Sequence, residues 1–445
     1  MKNLLLVFVF LIGIQICKAE YVIIPDDNFR AVLKALYPTC FDASDKMDVT
    51  CSQIVNELSL SIENNDIATI SGIQYFTSLT YLNCYNNQIT NLPSLPASLT
   101  YLDCSYNQIT NLPTLPPSLE KLFCNNNQII ELPILPSTLT DLFCDVNQIT
   151  DLPILPSTLV VLNCGYNQIA DLPILPSTLV DLDCHSNLLT KLPSLPSSLM
   201  SLHCYNNQLT YLPSLPTSLN YLDCSNNQIT ELPSLPSTLK DLKFRHNQIK
   251  ELLLLPSTLY QLDCGNNQLT ALPTLPDMLQ GLVCDGNQIT DLPPLPSTLI
   301  VLYCNSNQLT TIPILPNTIY SLNCSNNQLR ELPSLPNTLQ YLYCENNRLE
   351  ALPSLSSVLN TLYVRGNNSL YCLPVLPASL LGLYVYNTGI TCLPNAINTN
   401  ATVDITIPIC TSTSSICKVN PYVQGKIYID GKHNGKYSIG ERLIS

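Results

Sequence analysis

From residue 79 onward, apolar side chains return in one fixed order. Leu79, Leu82, Cys84, Ile89, Leu92 and Leu95 hold it first, and the same spacing restarts at Leu99. The leading leucine recurs every 20 residues up to Leu359, with Ile319 its one stand-in, and a step of 21 reaches Leu380, making 16 copies. A fixed short period predicts a solenoid, in which each copy stacks on the one before. Within a copy, Leu102 and Cys104 alternate with Tyr101, Asp103 and Ser105. That period of two predicts a short strand with one face buried, and strands one copy apart stack in parallel at about 4.8 Å. The 16 strands are expected to form an arc about 75 Å long. Ile109, Leu112 and Leu115 close the coil from the far side, where Pro113 and Pro116 exclude a helix and favour an extended, polyproline-like wall. One coil is not expected to fold alone. About six buried apolar side chains, at roughly 1.5–3 kcal/mol each, barely match the ordering of a repeat at about 1–2 kcal/mol per residue.

Leu99, Leu102, Cys104, Asn107 and Ile109 fit a Leu-x-x-Leu-x-Leu-x-x-Asn-x-Leu core. On these residues the chain resembles the leucine-rich repeat family. Its Leu-Pro-x-Leu-Pro tail is similar to the short bacterial subclass, which is also found in type III effector proteins. The resemblance spans roughly three-quarters of the chain. It implies a β-rich solenoid of the α/β class: a horseshoe of regular coils with a parallel sheet on the concave side, an extended convex side and a helical N-terminal cap.

The asparagine column, from Asn87 and Asn107 to Asn367, sits where the coil bends, and its amides are expected to bond the backbone of adjacent coils. The neighbouring glutamines (Gln88, Gln108, Gln128) are expected to cap the same turns from outside. Thirteen cysteines share one phase, at 84, 104, 124, 144, 164, 184, 204, 224, 264, 284, 304, 324 and 344. Phe244 and Val364 fill the same slot, so the slot takes an apolar group and buried thiols are expected. A 20-residue spacing is not that of metal ligands.

The ends differ from the array. Lys2, a largely apolar run over residues 4–16 and Cys17-Lys18-Ala19 read as a signal peptide at 1–19 with cleavage after Ala19, because a run of 13 residues is too short to span a bilayer. Ile16, where a small residue is expected, argues against a lipoprotein cysteine at Cys17. Residues 20–54 read as a cap, with a helix begun by Asp26 or Asp27 that buries Phe29, Val32, Leu33 and Leu36 and stops at Pro38. Cys40 and Cys51 bracket the following loop, and a disulfide is expected there. Asp42, Asp45 and Asp48 in that loop lack the Gly and Glu of an EF-hand-like cation site. Residues 55–78 form an irregular first coil, 79–394 the regular array and 395–417 a C-terminal cap; Cys372 and Cys392 in the last two coils and Cys410 and Cys417 beyond them are candidate staples of open connectivity. Residues 418–445 are either a tail or the opening of a β-domain. Asp430, Asn434, Gly435, Ser438 and Glu441 resemble the start of the B-type repeats of bacterial surface adhesins, and Lys432 departs from their calcium loop.

Only the third, fifth, seventh and eighth positions of each copy vary on the face of the sheet, so specificity is expected there. The first coils offer Tyr81, Tyr85, Tyr101, Tyr106, Phe123 and Phe143. The middle offers Asp141, Asp181, Asp183, Asp223, Asp241 and Asp263, interrupted by Lys243, Arg245 and His246. The last coils offer Tyr303, Tyr341, Tyr343, Tyr363, Tyr384 and Tyr386. Aromatic groups on a rigid sheet resemble interface anchors. A net charge of −13 opposes nucleic acid as partner and suits neutral or basic ones. His185 and His203 lie near Asp183 and Asp223 in the pattern, but a flat open sheet neither excludes water nor shifts pKa values strongly, and no nucleophile or cofactor motif recurs. The expectation is therefore a non-enzymatic, monomeric, exported bacterial protein without cofactor or membrane insertion, which binds a protein or glycan partner. The alternatives are the repeat module of an effector, such as the ubiquitin-ligase type with its catalytic domain not included, and a structural surface spacer.

Overall fold

A computed structural model describes residues 19–410. Residues 1–18 of the expected signal peptide, Cys417 and the segment 418–445 lie outside the described residues. The chain divides into two units, one ending at Ile169 and the other starting at Ala170.

The first unit opens with the strand Tyr21–Val22, paired antiparallel with Met47–Asp48. Between them runs the helix Asp27–Leu36. Asp26 caps it: one carboxylate oxygen accepts the Phe29 N–H at 2.8 Å, and the other accepts the N–H of Ala68 at 2.8 Å and of Thr69 at 3.2 Å. A single side chain thus starts the helix and ties it to the irregular coil. Phe29 and Leu33 are buried as the spacing predicts, but Val32 is only half-buried and Leu36 is exposed. Tyr37 takes the inward place, because Pro38 forbids a further helical turn and swings the chain. Its hydroxyl donates to Glu57 Oε2 at 2.9 Å. Cys40 and Cys51 are joined by a disulfide, as expected.

Six three-residue strands follow, from Ser59–Ser61 to Val161–Asn163, paired in parallel and in chain order. Leu82, Leu102, Leu122 and Leu142 stand side by side. The second unit repeats the design with twelve strands, from Asp181–Asp183 to Thr402–Val403. Each is a parallel-sheet solenoid. Leu102 and Cys104 are fully buried, while Tyr101 and Asp103 remain partly open. The Leu-Pro-x-Leu-Pro segments carry neither helix nor strand, and Ile109, Leu112 and Leu115 point from them into the core.

Two polar ladders hold the coils together. Asn107 Nδ2 donates to the carbonyls of Cys84 (3.0 Å), Cys104 (3.1 Å) and Ser105 (3.2 Å), and its Oδ1 accepts the Ile89 N–H at 2.9 Å. The pattern recurs at Asn227, Asn247 and Asn327. It satisfies backbone groups that the short strands leave over, as the sequence pattern predicts. The second ladder was not foreseen. In most copies a Ser or Thr just before the leading leucine reaches back one coil: Thr138 Oγ1 donates to the carbonyls of Pro117 (2.9 Å) and Leu119 (2.8 Å), and Thr158 repeats this to Ser137 and Leu139, whereas Met278 and Val358 interrupt the series. The glutamines play a smaller part than expected. Their recurrent bond is made by the backbone, as from Gln108 N–H to the Ile89 carbonyl at 2.9 Å, and Gln108 itself is exposed.

All thirteen cysteines of the array are buried, and Phe244 and Val364 are equally buried in that slot. Burial, reinforced by neighbouring thiols, pushes Cys104 and Cys204 well above the usual thiol range. At the C-terminal end Cys392 pairs with Cys410, and Cys372 is disulfide-bonded as well.

Candidate partner-binding surface

The open side of each sheet presents the third and fifth positions of every copy, because Leu at the fourth position and Cys at the sixth turn inward. Register then decides which side chains meet. In the first unit Tyr81 stands beside Tyr101, and Phe123 beside Phe143. Their rings stack, with centroids 4.5 Å apart at 17° and 4.8 Å apart at 14°, and Tyr101 leans onto Phe123 at 5.3 Å. Four aromatic residues read from separate repeats thus form one ladder. Stacking leaves each ring half-buried, so the side chains expected to be open show their edges and not their faces. Tyr101 feels this as burial, which with Asp103 and Tyr81 pushes its phenol up to about 12.

A second ladder stands in the second unit. Tyr343, Tyr363 and Tyr384 stack at 5.0 and 3.9 Å, with Tyr363 and Tyr384 only 9° from parallel. Arg365 lies over Tyr363 and Tyr384, its guanidinium carbon 5.7 and 4.8 Å from their centroids. It is held there by Asp404, whose Oδ2 accepts from Arg365 Nε at 2.7 Å. Asp404 is costly to bury, yet the Val385 N–H, Arg365 and the Tyr386 N–H more than compensate and hold its carboxyl below the usual range. Tyr341 meets Tyr320 edge-on at 5.3 Å, and Tyr303 accepts a 3.4 Å contact from the Ser321 hydroxyl. Neither Arg365 nor Asp404 stood out in the sequence, since a positional pattern does not reveal a pair 39 residues apart.

Between Asp181 and Asp285 the second sheet is polar. His185 Nδ1 is 2.5 Å from Asp183 Oδ1 and its ring stacks on Tyr205, while His203 stacks on Tyr221. Lys243 Nζ donates to the Tyr221 hydroxyl at 3.1 Å and lies 5.0 Å over that ring. It leaves Asp241 at 3.9 Å, so the buried Asp241 Oδ1 has an ion-pair neighbour but no hydrogen bond. Arg245 reaches across a whole coil to grip Asp285 with two bonds of 2.7 and 2.6 Å. Gly265 permits this, because a Cβ there would stand 2.5 Å from the Arg245 guanidinium. Burial raises the carboxyls of Asp181, Asp241 and Asp263; His203 and Ser201 oppose it at Asp181, Lys243 at Asp241, and the Gly265 N–H and Arg245 at Asp263. Asp223 accepts the Ser225 N–H at 3.0 Å. His185 is thus paired with Asp183, whereas His203 meets Tyr221, and Asp241 and Asp263 face Lys243 and Arg245.

The eighth position carries a backbone constraint that the sequence pattern did not reveal. Asn86, Tyr106, Asn126, Val146 and Tyr166 all have φ between +48° and +56°. The column continues in the second unit through Asn206, Asn226 and Gly286. Its preference for Asn and Gly is set by the left-handed backbone, not by a ligand.

Comparison with known proteins agrees with this architecture. The family model for leucine-rich repeats in two copies matches residues 55–97 and 97–137, and the single leucine-rich repeat model matches residues 218–242. YopM from Yersinia enterocolitica is similar at 34% identity, over 79% of this chain and 87% of that one, with a TM-score of 0.66. The leucine-rich effector protein YopM from Yersinia pestis is 36% identical over 67% of this chain and 85% of that one, with a TM-score of 0.63. The functional domain of InlJ from Listeria monocytogenes, which includes a cysteine ladder, is 28% identical over 83% of this chain and 75% of that one, with a TM-score of 0.64. No curated protein matches the sequence. The chain belongs to the leucine-rich repeat family. Its likeness extends to bacterial effector and internalin-type proteins, a setting consistent with protein binding.

Proposed function

We propose that the chain is a non-enzymatic recognition protein, exported through its N-terminal signal segment and acting outside the cell or at its surface, which binds a protein partner on the open face of the sheet. The observation that carries this is the pair of aromatic ladders. Stacked rings on a rigid sheet offer large contact area with little conformational freedom left to lose. They also favour a protein over a glycan, because sugars pack on bare ring faces and these faces are covered by the next ring. The disulfides Cys40–Cys51 and Cys392–Cys410 fit an oxidising compartment, which favours export over an effector injected into a reducing cytosol. The binding form is a monomer without cofactor or inserted helix; among the described residues no helix is long and apolar enough to cross a membrane. The Asp181, Asp183, Asp223 and Asp263 group gives a basic surface of the partner its counterpart.

Labelled full-length protein titrated onto cultured cells tests this. Saturable binding is expected, removed by protease treatment of the cells but not by glycosidases. The double variants Phe123→Ser/Phe143→Ser and Tyr343→Ser/Tyr363→Ser should each weaken it by about ten-fold or more. Unchanged binding by both variants would reject the sheet face, and no specific binding at all would favour the spacer.

A further inference from the structure

The wall opposite the sheet carries a feature that the sheet-face reading does not use. In Leu-Pro-x-Leu-Pro the middle slot is small and polar in about half the copies, as at Ser94, Thr114, Ser194, Ser214 and Ser234, and is apolar and exposed singly elsewhere, as at Ile314 and Val375. In two adjacent coils of the first unit it is isoleucine. Ile134 and Ile154 are each 90% exposed, and Ile130 beside them is 52% exposed. The slot has no packing role, since the leucines on either side of it supply the inward groups and Ser serves equally well in sister copies. Two β-branched aliphatic side chains held almost wholly in water, one coil apart, are therefore not explained by the fold. Contiguous exposed apolar groups on a soluble protein mark interaction sites.

Charge selects the occupant. From residue 122 to the end of the unit at Ile169 there are four acids, Glu131, Asp141, Asp145 and Asp151, and no Lys or Arg. Glu131 and Asp151 are exposed, each three residues before one of the isoleucines. Asp141 lies in the sheet, where it is engaged with Lys121 at 3.6 Å. An apolar row with the exposed acids Glu131 and Asp151 on the same segments repels an identical copy and an anionic bilayer, and complements a segment with aliphatic side chains beside lysines or arginines. We propose that Ile134 and Ile154 form a second docking site, on the proline-rich wall, for a basic amphipathic segment of a partner protein. An amphipathic helix would present aliphatic groups at i, i+3, i+4 and i+7 to the row and its basic flanks to Glu131 and Asp151.

The site is independent of the sheet face, and one titration separates the two. The probe is a fluorescein-labelled amphipathic helical peptide of Leu and Lys, with a Leu and Glu peptide of the same pattern as control, added to the full-length protein at low salt. Ile134→Ser/Ile154→Ser places in the slot what sister copies already hold, so folding is retained, as circular dichroism would verify. It should weaken binding of the Lys peptide by about ten-fold or more. Glu131→Gln/Asp151→Asn should weaken it and flatten its salt dependence, and Phe123→Ser/Phe143→Ser should leave it within about two-fold. Equal affinity of wild type and the Ile variant would overturn the proposal, as would equal binding of the Glu peptide. Ile-dependent self-association in sedimentation, or Ile-dependent binding to phosphatidylglycerol vesicles, would overturn it in favour of a second copy or a lipid surface.

Discussion

At Asn227 every hydrogen-bonding group of the side chain is used. Its amide donates to the carbonyls of Cys204, Cys224 and Ser225, and its oxygen accepts the Leu209 N–H at 2.9 Å. Asn227→Ala leaves these buried groups unpaired, and a loss of about 2–4 kcal/mol is expected. Denaturant unfolding measures the loss, and hydrogen exchange should place it at the Leu209 amide and its coil. A change below about 0.5 kcal/mol would mean that water replaces the side chain. Val146 is the converse case, a β-branched residue at φ +53° where Asn is the commonest choice of the other copies. Val146→Asn should stabilise the protein by about 1 kcal/mol. Asp241 adds a pH effect. Its carboxyl is raised in the folded state by burial, so the native protein holds that proton more tightly than the unfolded chain. The penalty is present above the raised value and is relieved as pH falls toward the ordinary carboxylate range. Asp241→Asn should accordingly raise the thermal midpoint at pH 7, with a gain that shrinks as the solution is acidified. A gain that grows on acidification would show that the direction is wrong.

At the scale of one coil, the strand and the buried Leu and Cys were legible because alternation follows directly from the pleat. The left-handed eighth position was not, although Asn and Gly recur there: in a column that also holds Tyr106, Val146 and His246, variation reads as surface choice. The Ser and Thr ladder escaped for a related reason. Hydroxyls at exposed turns are common, and only the coil beneath reveals that Thr158 bonds Leu139. The cysteine slot leads to a prediction. A thiol-specific reagent should label none of the thirteen array cysteines in the native protein and all of them in denaturant. Cys224→Val should cost less than about 1.5 kcal/mol, whereas Cys224→Ser, which puts a hydroxyl in the same dry slot, should cost about 1–3 kcal/mol. Native labelling would show that the coils open more readily than their packing implies.

Across the molecule, legibility followed sequence distance. Repetition announced the solenoid, and it announced which aromatic residues share a face, since Tyr81 and Tyr101 occupy the same position one copy apart. Contacts that leap more than one copy, such as Arg245 to Asp285, were hidden, as was the deviation in which Leu36 yields its inward place to Tyr37. Disulfides secure the beginning and the end of the described chain. In a stack stabilised by nearest neighbours, reduction of Cys40–Cys51 and Cys392–Cys410 should speed amide exchange in the terminal coils while leaving central ones such as Leu222 and Leu242 protected. Exchange accelerated uniformly along the chain would mean that unfolding is global.

Both polar ladders join a copy to the one immediately before it, and around residues 187–247 each copy carries both the Asn and the Ser or Thr. Excision of one whole period inside the second unit, for example residues 205–224, therefore leaves a seam at which each donor meets an acceptor of the same kind. Unequal crossing-over between such similar stretches of DNA can change copy number without an unfoldable intermediate, so the reach of the recognition surface is open to adjustment over generations while its foundations stay fixed.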